Sequence, residues 1–466
     1  MGSPLPLAIA TALLLALGST APGVAQQKQH TLPYAPGKSI TLSLPAAFDI
    51  DIAAKGLRRV RFFAQSPDGR IFATGMHDLS DNHLGSVFIL DEWNAQTGTF
   101  GRITHYLDHL RNPNSIAFWT DPATKQTWLY VALTDKLVRY EYHPGDLHPA
   151  APPQTLIRFP DYGLNYKYGG WHLTRTVAVG QVQGTPRVFI AVGSSCNYCQ
   201  EREAARASIL SINPDGSDAK IIAQGVRNAV DLRWIPEIDG GSLFATNMGD
   251  DHLGDKLPDD TLFQIDASAK QPLNYGWPTC YFSSGTAVHD ATPLPSMHDP
   301  AMKARTDVPP RHPQDSVYGK QSGVAEAGTN LAAGGGHTAE PDPNAALGQA
   351  PAPLASCQSV PQPYAWFTAH SSPLGLERFS DTDTNLNGSF LVALHGASHP
   401  SIGTGYRVVR ISADRNPQDF ITGFLTIKDG KPTVHGRPCG LFRIGPDAFL
   451  LTDDYLGLVY YIHPHA

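Results

Sequence analysis

The most constraining feature of the sequence is a turn-and-strand unit that recurs six times along the chain. Each copy joins short runs rich in Val, Ile, Phe, Leu and Tyr through turns rich in Pro, Asp and Gly, a pattern typical of antiparallel strands. The copies lie at 58–74 with 84–93, 110–142, 170–213, 225–266, 370–411 and 436–462.

Each unit contains enough strand for one four-stranded antiparallel blade. Because a single blade leaves both of its faces exposed, such blades must stack radially around an axis. The sequence therefore predicts an all-β fold, a six-bladed β-propeller over 58–466, preceded by an N-terminal segment over 26–57. A set of β-sandwich domains is the alternative, and the recurring unit disfavours it.

One stretch, 283–356, interrupts the repeat. It is dense in Ala, Gly, Pro, Ser and Asp, and its one aromatic residue is Tyr318. A segment of this low-complexity composition cannot bury a core. We therefore expect an irregular, disordered insertion between two blades.

The N-terminus predicts export. An apolar run from Leu5 to Leu17 is too short to span a bilayer, and the small residues Gly23-Val24-Ala25 precede Gln26. We expect residues 1–25 to be a signal peptide and the protein to be periplasmic or secreted. No later run reaches the 18 or more apolar residues of a transmembrane helix, so no membrane span is expected.

The charge balance disfavours a nucleic-acid partner. The chain has 35 basic and 42 acidic side chains, a net charge of −7. A protein that binds the nucleic-acid backbone needs a basic stripe, and the sequence shows none.

The five cysteines suit an exported protein, in which disulfides are permitted. Cys196 and Cys199 form a C-x-x-C without a following His, so haem attachment is not indicated. A zinc site needs about four ligands, which favours a local disulfide here. Cys280 and Cys357 bracket the insertion and could join its base, which leaves Cys439 over as a buried thiol.

Polar residues recur at the turns that open the second to sixth units. They are Arg111-Asn112-Pro113-Asn114, Trp171-His172, Arg227-Asn228, His370-Ser371-Ser372 and His435-Gly436-Arg437. Loops at one end of a propeller channel bring such groups together. The result would be a positive, donor-rich funnel, suited to a flat ligand with several carboxylates because Arg binds carboxylates through paired hydrogen bonds.

A second feature is the acidic loop TNMGDDHLGDKLPDD, residues 246–260. Oxygen-rich loops with Gly suit calcium, but the spacing is not that of an EF-hand. A calcium site and a solvated acidic loop are both open on composition alone.

At this point the sequence resembles a known family, the sorbosone dehydrogenase-like branch of the soluble glucose dehydrogenases. The resemblance rests on an ordered set of motifs that covers 58–282 and 357–463: GGWHLTRTVAVG, VGSSCNYC, VRNAVDLRW, ATNMGDDHLGDKLP, NYGWPTCY, HSSPLGLERF, FLVALHG, GYRVVRI and GRPCGL. It implies a six-bladed propeller that binds pyrroloquinoline quinone (PQQ) with calcium. It further implies oxidation of a sugar at its aldehyde or hemiacetal carbon. Because the sequence has no C-x-x-C-H haem motif, we also expect an external electron acceptor.

The resemblance also implies roles for individual residues. His172 is similar to the family's general base, which takes the proton from the sugar hydroxyl. Arg227 is similar to an Arg that stabilises charge developing on the quinone oxygens, with Asn228 beside it. Backbone carbonyls of Gly249 and Asp250 correspond to the calcium ligands.

Further cofactor contacts follow from the same resemblance. Arg437 is similar to an Arg that binds the cofactor carboxylates, and Asn114 and Thr368 stand at positions of polar contacts. His395 stands where glucose-oxidising members carry a Lys, and Ser194 where they carry an acidic residue that orients the base. Both differences argue against glucose more than against the cofactor.

Two other hypotheses remain open at this stage. One is a calcium-dependent lactonase on a six-bladed propeller, a class that holds its ion through Glu, Asn and Asp side chains. The other is a binding propeller without catalytic activity, which would suit the differences at Ser194 and His395.

Overall fold

Six β-sheet blades form the core of the computed structural model, which describes residues 26–160, 172–201, 203–294 and 347–465. Five of these sheets have four antiparallel strands, and the third blade adds a short parallel strand, Leu273–Asn274, outside its four antiparallel strands. The predicted six-bladed propeller is confirmed. The expected signal peptide, 1–25, and Trp171 lie outside the described residues. No helix among the described residues is long and apolar enough to cross a membrane.

We number the blades in chain order and give their strands from the channel outward. Blade 1 is Val60–Gln65, Ile71–Gly75, Gly85–Asn94 and Thr99–Leu110; blade 2 is Ser115–Thr120, Thr127–Ala132, Lys136–Tyr142 and Gln154–Arg158; blade 3 is Arg175–Val182, Thr185–Val192, Ser208–Ile212 and Lys220–Gln224. Blade 4 is Ala229–Ile235, Ser242–Asn247, Asp260–Ile265 and Ala365–Phe367; blade 5 is Pro373–Phe379, Ser389–Leu394, Arg407–Ile411 and Pro417–Ile421; blade 6 is Pro438–Arg443, Phe449–Asp453, Leu458–Pro464 and Phe48–Lys55.

The ring closes through blade 6, whose outer strand comes from the N-terminal side of the chain. Phe48–Lys55 pairs with Leu458–Pro464, with Ile50 opposite Ile462. The sequence predicted that the propeller starts at residue 58, but its first strand in chain order is Phe48–Lys55. The remainder of the expected N-terminal segment forms a hairpin, Gln27–Ala35 with Lys38–Pro45, that bridges to blade 5 through Ser43 and Thr422.

The insertion lies within blade 4, between its third and fourth strands. The expectation that it lies between two blades is therefore wrong. Its flanks are the third strand and the short fourth strand, Ala365–Phe367, in which Phe367 pairs with Asp260. Part of the flank is ordered, because Cys280–Ser283 pairs with Thr286–His289. Residues 295–346 lie outside the described residues.

Both predicted disulfides are present, and a third hairpin follows blade 5. Cys196 bonds to Cys199, and Cys280 bonds to Cys357 at the base of the insertion. Cys439 is the buried free thiol. The hairpin is Leu425–Lys428 with Lys431–Val434, and a 3-10 turn, Pro400–Ile402, lies against it.

The apolar core consists of layers between neighbouring blades. In the second strand of blade 2, Leu129 and Val131 pack toward blade 1, whereas Trp128 and Tyr130 pack toward blade 3. Equivalent clusters lie between every other adjacent pair, including blades 6 and 1. Because successive side chains of a strand point to opposite faces, each central strand is buried on both sides, and burial of each large side chain contributes roughly 2 kcal/mol.

A repeated threonine joins the inner strands of consecutive blades. In blade 6 the hydroxyl oxygen of Thr452 accepts a hydrogen bond from the amide of Gly440 at 2.6 Å and donates to the carbonyl of Arg61 in blade 1 at 2.8 Å. Thr74 and Thr246 make the same pair of bonds at the ends of the second strands of blades 1 and 4. These side chains fix the angular position of one blade relative to the next.

The topology places many loops at one end of the channel. In an antiparallel blade, the first strand begins and the second strand ends at the same edge of the sheet. The turns that enter the blades and the loops after the second strands therefore meet at one end, which we call the site end.

Candidate active site

All nine residues predicted from the sequence lie at the site end, each within three residues of a strand terminus. Those before first strands are Asn114, His172, Arg227, Asn228 and Arg437, and those after second strands are Gly249, Asp250 and His395. Thr368 follows the outer strand of blade 4, is exposed, and its hydroxyl lies 3.1 Å from that of Ser371. The strand order thus accounts for their common location.

His172 is held by the backbone and side chain of Ser194. Its Nδ1 lies 3.0 Å from the Ser194 carbonyl oxygen and 2.9 Å from Oγ. Oγ donates its own hydrogen to the carbonyl of Cys196 at 2.6 Å, so it accepts from the ring. Because both Ser194 oxygens accept, Nδ1 carries the proton and Nε2 keeps its lone pair.

The electrostatic surroundings keep this imidazole neutral. Burial and then the positive charge of Arg227 lower the pKa of His172 well below its usual value. At neutral pH Nε2 is therefore an available proton acceptor. Ser194 fixes the orientation of the ring through both of its oxygens.

Arg227 is held along both edges of its guanidinium. Nε donates to the carbonyl of Asn197 at 2.9 Å and Nη2 donates to the Asn197 Oδ1 at 2.7 Å. Nη1 donates to the carbonyl of Gly249 at 2.6 Å, and the carboxylate of Asp251 lies 3.9 Å away. The side chain is almost entirely buried, so its orientation is fixed before any ligand arrives.

Asn228 and His172 approach each other across Gly193. A Cβ added to Gly193 would lie 2.6 Å from the His172 Cβ and 2.7 Å from the Asn228 Oδ1. Asn228 is buried, and its Oδ1 has no hydrogen-bond partner among the described residues. A buried acceptor without a partner is costly unless a ligand supplies a donor.

An apolar patch lies next to this amide. The Asn228 Nδ2 lies 3.4 Å from the Met248 sulfur. Met248 packs on a buried cluster from the inner strands of blades 1, 4, 5 and 6, whose members are Phe62, Val230, Leu374 and Cys439. The site end of the channel thus joins polar groups to an apolar surface.

A second group of polar residues lies on blades 5 and 6. Nε2 of His395 donates to Oδ1 of Asp454 at 2.8 Å, and its Nδ1 faces Nη1 of Arg437 at 3.4 Å. Burial, despite the adjacent Asp454, lowers the pKa of His395 to about 4. The neutral ring therefore has both nitrogens occupied, and it orients Arg437.

Arg437 is held through its two terminal nitrogens, Nη1 by His395 and Nη2 by blade 5. Its Nη2 donates to the hydroxyl of Tyr406 at 2.8 Å and to the carbonyl of Ala397 at 3.1 Å, and the guanidinium lies over the Tyr406 ring. Nε has no partner among the residues that the structure describes, and the side chain is half-buried. This arrangement leaves a donor edge for an anionic ligand.

A buried network connects the two groups. Arg61 donates through Nη1 to Asp454 at 2.8 Å and through Nε to the Oδ1 of Asn114 at 3.1 Å. The Nδ2 of Asn114 donates to the carbonyl of Arg175 at 3.3 Å, and Arg175 donates to the carbonyl of His172 at 2.6 Å. Asn114 is fully buried with its amide committed to protein groups, so its place is in this network.

The acidic loop is ordered by carboxylates and histidines. Asp260 accepts from the amides of Gly249 and Ser372, both at 2.7 Å, and burial raises its pKa to about 7. The carboxylate of Asp250 is buried, with Oδ1 2.6 Å from Nδ1 of His252. Although burial opposes a charge on the ring, the carboxylates on both sides raise the pKa of His252.

His370 holds the exposed acid of the same loop. Its Nδ1 lies 3.0 Å from Asp251 and its Nε2 lies 2.9 Å from the carbonyl of Gly254. The hydrogen bond with Asp251 raises the pKa of His370 to about 9, although burial of the ring opposes its positive charge. Two acceptors around one ring require the imidazolium at neutral pH.

Several residues of the site are beyond what sequence reasoning assigned. Asn197 lies inside the C-x-x-C and Asp454 follows the second strand of blade 6, and neither belongs to a motif with a recognised ligand. The turn residue Arg111, expected in the funnel, pairs with Asp81 at 2.6 Å and fixes a loop of blade 1 instead. The paired guanidinium is almost fully buried, so it serves structure.

The fold and the family match together identify a β-propeller of the PQQ-dependent sugar dehydrogenase class. The TrAA12-like family model matches residues 120–422, and the chain belongs to that family. The enzyme class predicted from the sequence, the PQQ-dependent sugar dehydrogenases, is thereby confirmed.

Solved structures share the fold at low sequence identity. The PQQ domain of pyranose dehydrogenase from Coprinopsis cinerea is 14% identical, covers 92% of this chain and 99% of its own, and gives a TM-score of 0.60. A calcium structure of a Trichoderma reesei family AA12 enzyme is 14% identical, covers 91% and 96%, and gives 0.57. In sequence, an uncharacterized protein of Borreliella burgdorferi is 24% identical over 440 residues, 91% of each chain.

Proposed function

We propose that the protein oxidises an aldose or a sorbosone-type sugar at its aldehyde or hemiacetal carbon, with PQQ and calcium as cofactors. The observation that carries the proposal is the neutral His172, which Ser194 holds with Nε2 unprotonated at the end of the channel where Arg227 is fixed. A base, a fixed cation and a buried acceptor without a partner form a site for redox chemistry on a hydroxyl.

The residues present fit a flat polyanionic cofactor. Arg437 offers a guanidinium edge, Arg227 supplies positive charge, and the Asn228 Oδ1 is a buried acceptor that needs a donor. These three residues would hold PQQ. When bound, this group would supply the hydride acceptor, and a calcium ion would supply a Lewis acid beside it.

The acidic loop offers oxygen ligands of the kind that calcium prefers. The carbonyls of Gly249 and Asp250 would hold the ion, and the carboxylate of Asp251 lies in the same turn. Arg227 already donates to the Gly249 carbonyl at 2.6 Å, so this oxygen would serve both. Asp260 holds the loop by accepting a hydrogen bond from the amide of Gly249.

The chain's own chemistry is proton transfer and charge stabilisation. His172 would accept the proton of the sugar hydroxyl at Nε2, while Ser194 stabilises the resulting imidazolium through Nδ1. Arg227 would stabilise negative charge that develops next to it, and because it is pre-oriented no reorganisation is needed. The apolar patch around Met248 would exclude water on one side.

The location and the electron acceptor belong to the same proposal. A signal peptide over 1–25 would deliver the protein to the periplasm or the exterior, where disulfides form. The chain carries no C-x-x-C-H haem motif, so electrons would pass to a separate carrier.

The test is reconstitution of the purified apo-protein. We expect calorimetry to detect PQQ binding that weakens when EDTA removes calcium, and we expect dye-linked oxidation of members of an aldose and sorbosone panel. His172→Ala should lower kcat by at least about 100-fold and change the PQQ affinity little, whereas the exposed His148→Ala serves as the matched control.

Three results would contradict the proposal. Absence of PQQ binding would remove it altogether. Tight binding without turnover across the panel would favour the inactive binding propeller. Hydrolysis of lactones by the calcium form without added quinone would favour the lactonase.

A further inference from the structure

The turn between Cys196 and Cys199, together with the residues just before it, contacts both functional side chains on blades 3 and 4. Upstream of it, Ser194 orients His172 and donates to the carbonyl of Cys196 at 2.6 Å. Within it, Asn197 accepts two hydrogen bonds from Arg227. One short segment therefore sets the geometry of the base and of the cation.

Asn197 is at the centre of this arrangement. Its Oδ1 accepts from Nη2 of Arg227 at 2.7 Å and also from the amide of Asp251 at 3.0 Å. Its carbonyl accepts from Nε of Arg227 at 2.9 Å. The residue therefore ties the guanidinium to the acidic loop as well as to its own turn.

The disulfide fixes the backbone that presents Asn197. Both cysteines are almost fully buried and pack with Ala207 and Trp277, so they offer no accessible sulfur for exchange with a partner. The loop that the bond closes spans a sequence separation of only 3. In the chain-entropy model, short loops gain least from closure, so this bond serves local geometry more than global stability.

The neighbouring residue reinforces the turn. The ring of Tyr198 stacks on His252 with centroids 3.8 Å apart, and its hydroxyl donates to the carbonyl of Thr292 at 2.7 Å. The turn is thus packed against His252 of the acidic loop. Asn197 remains in place only if the turn keeps its shape.

We propose that Asn197 is the positioning residue for Arg227, and that the Cys196–Cys199 disulfide is the device that holds Asn197 in that role. The consequence for PQQ rests on the proposed function. The consequence for Arg227 itself does not, because the contacts exist without any ligand.

The first experiment therefore uses no cofactor. Full-length protein labelled with 15N-arginine gives guanidinium signals for Arg227, assigned with Arg227→Lys. Exchange of the Nη2 hydrogens, which donate to the Asn197 Oδ1, is measured in the wild type, Asn197→Leu and Asn197→Asp. We expect at least tenfold faster exchange in Asn197→Leu and near wild-type exchange in Asn197→Asp, which keeps the acceptor oxygen. Equal exchange in all three proteins would overturn the proposal.

The second experiment separates the two disulfides. Cys196→Ser with Cys199→Ser should weaken PQQ binding at least tenfold in calorimetry and lower Tm only slightly. Cys280→Ser with Cys357→Ser opens a loop with a sequence separation of 77; it should lower Tm more and leave PQQ affinity within twofold. The opposite pattern, or equal losses of affinity, would count against the proposal.

The two experiments also separate the proposal from the function on which it rests. If wild-type protein binds no PQQ, the proposed function fails, and the exchange rates still decide the role of Asn197. If wild-type protein binds PQQ and Asn197→Leu binds it equally well, the function stands and the positioning role fails.

Discussion

Nε2 of His395 lies 2.8 Å from Oδ1 of Asp454, so a neutral ring from blade 5 and a fully buried carboxylate from blade 6 share a hydrogen bond beside the channel. The carboxylate also faces Arg61 at 2.8 Å and Arg59 at 3.4 Å. Although burial opposes ionisation, His395 and the two guanidiniums keep the pKa of Asp454 well below its usual range.

This relationship predicts a pH-dependent stability. Burial lowers the pKa of His395 from 6.5 to about 4, so between these values the unfolded chain binds a proton here and the folded protein does not. Stability should therefore fall as the pH is lowered through this window, by up to about 3 kcal/mol. Urea unfolding at several pH values measures it, and His395→Gln should flatten the curve. The exposed His148→Gln is the control, and a slope that is unchanged in His395→Gln would contradict the assignment.

Ser194 predicts a shift in the pH dependence of catalysis. Replacing Ser194 by Asp places a carboxylate beside Nδ1 of His172, which favours the imidazolium and raises the pKa of the base. The acid limb of kcat/KM should then move up by about one pH unit or more, while Ser194→Ala should lower kcat/KM by less than about tenfold because the backbone carbonyl still orients the ring. Steady-state rates from pH 4.5 to 9 test both; an unmoved acid limb in Ser194→Asp would mean that His172 is not the titrating base.

Any side chain at Gly193 should clash with His172 and Asn228. A methyl group there would meet Cβ of His172 at 2.6 Å and Oδ1 of Asn228 at 2.7 Å. We expect Gly193→Ala to weaken PQQ binding at least tenfold and to cost about 1–3 kcal/mol of stability. Gly184→Ala, at a hairpin with open space and φ of +78°, is a control that costs about 1–2 kcal/mol without changing affinity. Unchanged affinity in Gly193→Ala would show that His172 and Asn228 need not approach so closely.

The hydrogen bonds of the Thr452 hydroxyl between blades 6 and 1 should contribute measurably to the free energy of unfolding. Thr452→Val keeps the shape of the side chain and leaves the amide of Gly440 and the carbonyl of Arg61 without their partner. The free energy of unfolding should fall by about 1–3 kcal/mol, and chemical denaturation measures it. The exposed Thr433→Val is the matched control; a loss no larger than that of the control would mean that water replaces the hydroxyl.

The fold was accessible from the sequence because each blade repeats a local pattern of short apolar strands and turns. The outer strands were not, because the outer strand of each of the six blades lies outside the repeated unit assigned to that blade. Ala365–Phe367 is too short to show an alternating pattern, so the insertion was placed between blades. Phe48–Lys55 pairs with residues at the far end of the chain, and no local signal shows such a partner.

The candidate site was accessible in part, for a related physical reason. Residues at blade mouths are visible in sequence because the turns recur, and strand order brings them to one end. Their partners are not visible, because stacking of different blades sets the contacts of Asp454 with Arg61. The role of Ser194 in place of a carboxylate likewise needed the geometry of its hydroxyl.

Blade 6 has a consequence for when the protein becomes functional. Its sheet needs Phe48–Lys55 together with Leu458–Pro464, so a growing chain cannot close the ring until residue 464 is free to pair. Arg437 and Asp454 both belong to this last blade. The end of the channel that we propose to bind the anionic cofactor is therefore complete only once this last strand has paired, and removal of Leu458–Pro464 would open the ring next to that site.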